Sequence, residues 1–175
     1  IGYHAVSVIA DAWMKGIRGF NSELALQAMI ASSNTSRKGN DLYRKFGFIP
    51  ANNKSESVSV LLESAYDDWC ISIMANSLGN EKVAREYEKR AYNYQHVFDG
   101  NTRFFRGKRE DGSWTSPFNP FEVSRDLTEA TSWQYRFFVP HDIQGLVNLF
   151  GGKEPFVEAL DSLFVAESKV DGHMS

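Results

Sequence analysis

Cysteine occurs once among the 175 residues, at Cys70, which excludes an internal disulfide. That fits a reducing compartment, and equally a secreted domain that needs no staples. Long apolar runs are missing as well. Stretches such as "VSVIADAW" fall far short of the roughly 20 residues that span a bilayer. Positive charge is gathered nowhere: the net charge is −3. The scattered Lys and Arg residues give none of the basic stripe of a nucleic-acid binder. Histidine is scarce and dispersed. His4, His96, His141 and His173 show no HxxxH spacing and no cysteine partner, so a zinc pattern is absent. No glycine-rich phosphate loop and no GxSxG elbow is present. A starting Met and a signal peptide are also missing. The opening "IGYHAVSVIADAWMKGI" reads as the inside of an element, and the closing "KVDGHMS" carries no stop signal. The expectation is a piece of a longer protein, whose targeting such a piece does not reveal.

What is present is helical periodicity. Apolar residues at Ala5, Val6, Ile9, Trp13 and Ile17 recur at mostly three- or four-residue spacing. A second helix follows Asn21 or Ser22 as cap, with Leu24, Ala25, Ala28 and Met29 on its apolar face. The longest helix is expected over 57–78, with Val58, Leu62, Ala65, Trp69 and Ile73 on one face and Gly79 as its stop. Another covers 81–98 through Val83, Tyr87, Ala91, Tyr94 and Phe98. Two shorter helices follow Pro140. One is "DIQGLVNLF", capped by Asp142 and ended by Gly151 and Gly152. The other is "EPFVEALDSLFV", with Pro155 in its first turn. "FGFIPANNKSES" reads as a turn-rich connection. "TRFFRGKREDGSWTSPFNPFEV" alternates around Asp111–Gly112, a hairpin signal. No low-complexity linker marks a domain boundary. The fold class expected is all-α, a toroid or solenoid of paired helices with a small inserted β-hairpin.

Aromatics make up 14% of the chain, enough for some rings to serve a ligand as well as the core. Three clusters carry possible chemistry. The long helix has Glu56 just ahead of it, Glu63 and Asp67 four apart on it, and Asp68 beside Trp69. Like charges at that spacing repel by roughly 0.2–0.5 kcal/mol. The face is either solvated, or turned to a polar cleft where Asp67 or Asp68 bonds a sugar hydroxyl or a neighbouring loop. Trp114, Phe118 and Phe121 sit in a proline-punctuated loop, as core rings or as a flat platform for a sugar. Asp126 and Glu129 have the spacing of a capping box. Glu129 could instead be a carboxylic acid kept protonated by nearby aromatics, as a general acid requires. On a helix, Ser132 and Trp133 would share its face, and Gln134 and Arg136 would offer donors nearby.

Four segments together resemble a known family: "GYHAVSVIADAWMKG", "ESVSVLLESAYDDWCISIMANSLG", "DGSWTSPFNPF" and "TEATSWQYRFFVPHDIQGLVNLFGG". They look like glycoside hydrolase family ninety-two, the calcium-dependent exo-α-mannosidases common in gut Bacteroidetes. The most specific part is E-x-x-x-W-Q-Y-x-x-F-V-P-H-D over Glu129–Asp142, and "YDDW" over Tyr66–Trp69 is next. The resemblance implies an N-terminal β-sandwich followed by an (α/α)6 barrel, of which residues 1–175 would be a middle part. It implies inverting hydrolysis of terminal α-mannosides on glycans, with α-1,2 linkages the default. It makes Glu129 the acid and gives Gln134 a contact to sugar or calcium. It leaves Trp133 behind the acid or at the substrate, and Asp68 as a weaker substrate contact. Calcium is the implied cofactor, a mannose-containing oligosaccharide or N-glycan the partner, and the periplasm or exterior the location.

Two departures stand out. Many family members read E-G-N-A-W-Q-Y where this chain has Ala130, Thr131 and Ser132, which bears on linkage preference. The family's base motif and "GNEPSHH"-type stretch do not occur, so the isolated chain is expected to be inactive. The rivals are a tetratricopeptide-like binding module, suggested by "ANSLGNEKVAREYEKRAYNYQHVFD", and a glycan-binding relative without activity. No second copy recurs near 34 residues, which weighs against the repeat.

Overall fold

The computed structural model describes residues 2–166. Helices dominate, with one two-strand antiparallel ribbon, which agrees with the expected class. Helix α1 (Ala5–Met14) and α2 (Ser22–Ser33) follow the first two periodic stretches. Asn21 Oδ1 accepts the Leu24 N–H at 3.0 Å, so one of the amides left open at a helix start is satisfied as expected. Helix α3 (Asn40–Phe46) has no counterpart in the sequence reading. It lasts seven residues between left-handed Gly39 and Gly47, too short to show a period.

Helix α4 (Ser57–Ser77) and α5 (Glu81–Ala91) come next. α5 does not continue to Phe98. Residues Tyr92–Val97 form a 3₁₀ segment, in which buried Ala91, Tyr94 and Val97 recur every third residue. Phe98 enters strand β1 (Phe98–Asp99), paired with β2 (Phe104–Phe105). The ribbon therefore turns at 100–103. Around Asp111–Gly112, where the hairpin was expected, a short antiparallel turn forms as well: Lys108 bridges Trp114, and the Arg109 and Thr115 N–H groups donate to the Ser113 and Gly107 carbonyls at 2.8 Å each. Helix α6 (Ser132–Tyr135), α7 (Ile143–Leu149) and α8 (Lys153–Val165) complete the described chain. Asp142 caps α7 by accepting the Gly145 N–H at 2.8 Å.

The residues fall into two compact units rather than one. The first holds the chain up to Ile49 together with Val60–Tyr94; the second holds Pro50–Ser59 and the chain from Gln95. No linker composition betrays this: one crossing, at Ile49–Pro50, falls in the turn-rich connection, and the other two lie inside α4 and inside the 3₁₀ segment. In the first unit one core is shared by four helices. Val6 and Ala10 come from α1, Leu26 and Met29 from α2, Cys70, Ile71, Met74 and Ala75 from α4, Ala84 and Tyr87 from α5. α4 is buried nearly all round, not along a single stripe. The second unit is built on rings: Phe150 meets Phe98, Phe137 and Phe156 with centroids 5.2–5.7 Å apart. No helix among the described residues is long and apolar enough to cross a membrane.

Candidate active site

Glu129 is not on a helix. It lies in a bend ahead of α6, with an exposed side chain and a left-handed backbone at φ 49°. That conformation costs a non-glycine residue roughly 1 kcal/mol or more and persists only where neighbours impose it. The neighbours do so on both sides. Upstream, Ser59 Oγ accepts the Thr128 N–H at 3.0 Å and meets Thr128 Oγ1 at 2.8 Å. Downstream, Ala130 is buried and Thr131 opens α6. The capping box expected at Asp126 and Glu129 forms instead between Thr131 and Gln134, whose Oε1 accepts the Thr131 N–H at 2.7 Å. The Asp126 carboxylate accepts the Thr115 hydroxyl at 2.9 Å. Burial raises its pKa, against the opposing pull of Thr115 and Arg125.

The shared helical face proposed for Glu129, Ser132 and Trp133 therefore does not exist. Trp133 packs edge-on to Phe104 at 5.1 Å and tilted to Phe121 at 5.8 Å. The Arg136 guanidinium lies 4.6 Å over its ring and 4.2 Å over Phe104. Burial, then the nearby Arg103, lowers the Arg136 pKa to about 10. The Trp133 indole N–H has no protein acceptor among the described residues. Of the three loop rings, Phe118 and Phe121 join this ring cluster. Trp114 stands half-buried with Lys108 Nζ 5.3 Å over its face.

The acids of α4 are neither solvated nor turned to a cleft. Asp67 and Asp68 are fully buried. A helix buried all round that carries two acids must be given donors. Tyr3 O–H and Arg90 reach Asp68 Oδ1 at 2.5 and 3.0 Å, and Tyr43 O–H and Arg90 reach Oδ2 at 2.9 Å each. Four donors fill the acceptor sites of one carboxylate, so the sugar contact expected at Asp68 has no lone pair to use. Burial pushes its carboxyl up to about 6, while Arg90 and the two tyrosines pull the other way. Asp67 takes the Tyr3 N–H at 2.9 Å and His4 Nδ1 at 3.1 Å, which is the neighbouring-segment alternative.

No three His, Cys, Asp or Glu side chains cluster for a metal among the described residues. Gln134, the ligand expected from the resemblance, already accepts the Thr131 N–H. His173 lies outside the described residues. A cavity of 530 Å³ lies in the second unit beside Arg106, Thr115, Phe118, Asp126 and Leu127. Glu129 does not line it.

The sequence reading gave Ser59 and Thr128 no role and placed Thr131 only among the departures that bear on linkage preference. A signal existed for the first: "SVSV" opens a helix with hydroxyls among apolar residues, and a hydroxyl in a buried helix must bond to something.

A mostly helical chain presenting one carboxylate on a pinned bend, ahead of an aromatic cluster, fits the class of helical glycoside hydrolases. Residues 1–175 match the glycosyl hydrolase family 92 catalytic domain, and the chain belongs to that family. It is similar to the family 92 inverting mannosidase of Bacteroides thetaiotaomicron, at 38% identity over 93% of this chain and 23% of that one, with a TM-score of 0.89. It is also similar to a family 92 α-mannosidase of the same organism, solved with mannoimidazole. There the identity is 40% over 97% of this chain and 23% of that one, and the TM-score is 0.91. A secreted glycosidase of Arthroderma benhamiae is 28% identical over 93% of this chain and 26% of its own length. The chain thus spans about a quarter of the length of these relatives. The family match replaces the helical-repeat reading.

Proposed function

We propose that this chain is part of an exo-acting α-mannosidase and that Glu129 is its general acid. Two things support the reading. The chain belongs to a family whose similar solved members are mannosidases. The observation that carries it is the exposed carboxylate of Glu129 on a left-handed bend held from both sides.

The chemistry follows from that carboxyl group. Glu129 gives its proton to the glycosidic oxygen as the bond to the anomeric carbon breaks, and the aglycone leaves as an alcohol. A second carboxylate, supplied from outside this chain, takes a proton from water. That water attacks the opposite face of the sugar and inverts the anomeric centre. In inverting enzymes the two carboxyls stand roughly 6.5–9.5 Å apart to admit the water. Calcium dependence is part of the proposal, with the ion's ligands drawn mainly from elsewhere in the longer protein, and no step above runs through it. The substrate proposed is a terminal α-1,2-linked mannose on a glycan. Export to the periplasm or exterior is proposed on the strength of the secreted relative.

The test is mannose release from α-1,2-mannobiose by the longer protein that carries this chain. Glu129→Gln is expected to lower kcat by about 10²–10⁴, the usual worth of a general acid, and EGTA is expected to abolish release by the wild type. Full activity in the variant would return Glu129 to a structural role. Full activity in EGTA would remove calcium from the proposal.

A further inference from the structure

Resting on the reading of Glu129 as the acid, we infer that Ser59 and Thr128 act as positioning residues that fix its bend. Ser59 sits in the first turn of α4, fully buried. Its hydroxyl has one proton and two lone pairs. The Glu56 carbonyl lies at 3.2 Å, the Thr128 N–H at 3.0 Å and Thr128 Oγ1 at 2.8 Å. One assignment satisfies all three contacts. Ser59 donates to Glu56 and accepts both the amide and the hydroxyl proton of Thr128. The second hydroxyl therefore points at Ser59 and its proton position is set.

The bonding is reciprocal. While Ser59 holds the loop, the loop caps α4: the Val58 N–H donates to the Asp126 carbonyl at 3.0 Å, and the Glu56 N–H to the Arg125 carbonyl at 2.8 Å. These amides belong to the open start of a helix, which a side chain usually caps. Here backbone from 125–126 serves, so the loop is tied to α4 at three successive points before Glu129. On the far side of Asp126, its carboxylate fills the space above Gly107. A Cβ on Gly107 would lie 2.0 Å from Asp126 Oδ2. Among the described residues Thr128 carries the last upstream tie before Glu129. An exposed acid gains from such a tie because misplacement by about 1 Å can cost on the order of a hundredfold in rate.

Leaving-group dependence separates positioning from mere stability. A general acid matters when the aglycone is a poor leaving group and hardly matters when it is a good one. The experiment compares α-1,2-mannobiose with 2,4-dinitrophenyl α-mannoside, in the longer protein, for Thr128→Val, Thr128→Ser and Glu129→Gln. Thr128→Val keeps the shape and the amide bond and loses the hydroxyl. The expected result is a drop of about 10–100-fold in kcat on the disaccharide, with KM changed less than threefold. Little change is expected on the dinitrophenyl substrate, and Thr128→Ser should restore the disaccharide rate. An equal loss on both substrates, no loss, or failure of serine to rescue would overturn the positioning role. Glu129→Gln is the control. If it spares the dinitrophenyl substrate while Thr128→Val behaves as wild type, the acid stands and the tie falls. If Glu129→Gln itself shows no leaving-group dependence, the acid falls and the tie with it.

Discussion

At the residue scale, Asp68 is the group whose removal the structure penalises most. It is fully buried and receives four hydrogen bonds, two of them from Arg90, whose side chain is 14% exposed. Taking away one partner of such a pair leaves a buried charge unmatched, at a cost of about 3–5 kcal/mol. Asp68→Ala is therefore expected to lower the unfolding midpoint by many degrees, or to prevent folding. Asp68→Asn, which keeps the shape and some acceptors, should fall between the two. Thermal unfolding followed by circular dichroism decides this. Unchanged midpoints would mean that Tyr3, Tyr43 and Arg90 do not depend on the carboxylate. The sequence showed two adjacent acids and could not show where they were bound. Their partners are Tyr3 and His4, Tyr43, and Arg90, on three separate segments of the chain, and only the tertiary fold brings those together.

At the element scale, helix starts were legible because their signals are local. Asn21 and Asp142 accept the amides expected of caps, and Gly79 ends α4 with a left-handed turn at φ 75°. The acid's own bend was not legible. Asp126 and Glu129 match a capping box by spacing, yet Thr131 and Gln134 make the box five residues further on, where Thr131 is extended and Glu129 is not helical. A spacing rule has no access to the Ser59 hydroxyl 69 residues away that decides between them. The ribbon of β1 and β2 escaped the sequence reading for a related reason. Its turn is organised by Asp99, which accepts from the Asn101 N–H at 3.0 Å, the Thr102 hydroxyl at 2.9 Å and Arg106 at 2.7 Å. Burial would raise the Asp99 pKa, but Arg106, Asn101 and Thr102 together hold it below the ordinary value. A lowered folded pKa means a contribution that is present above the unfolded value near about 3.9 and is lost as pH falls through the folded one. Asp99→Asn should thus cost about 1.5–3 kcal/mol near neutrality, the worth of hydrogen bonds to a charged group. The gap to wild type should close as the pH drops below about 3.9. Urea unfolding at neutral and at strongly acid pH measures it, and a gap independent of pH would refute the assignment.

At the scale of the whole molecule, family and class were readable because they rest on long stretches of sequence kept in order. The division into two units was not, since two of the three passages between them lie inside continuous helical segments. The chain holds one candidate carboxylate for a reaction that needs two, and spans 23% of the solved mannosidases it resembles. Residues 1–175 expressed alone are accordingly expected to release no mannose, even with calcium, under conditions where the longer protein does. Activity in the isolated chain, free of the longer protein, would place a base among these residues and undo that division of labour.

The tie between Ser59 and Thr128 joins two alcohols and an amide, none of which gains or loses a proton in the range where enzymes work. That tie is thus indifferent to acidity, whereas the Asp126 carboxylate two residues before Thr128, which accepts the Thr115 hydroxyl, is not. A change of pH therefore leaves the contact between Ser59 and Thr128 in place, and a rate that changes with pH has its cause elsewhere in the site.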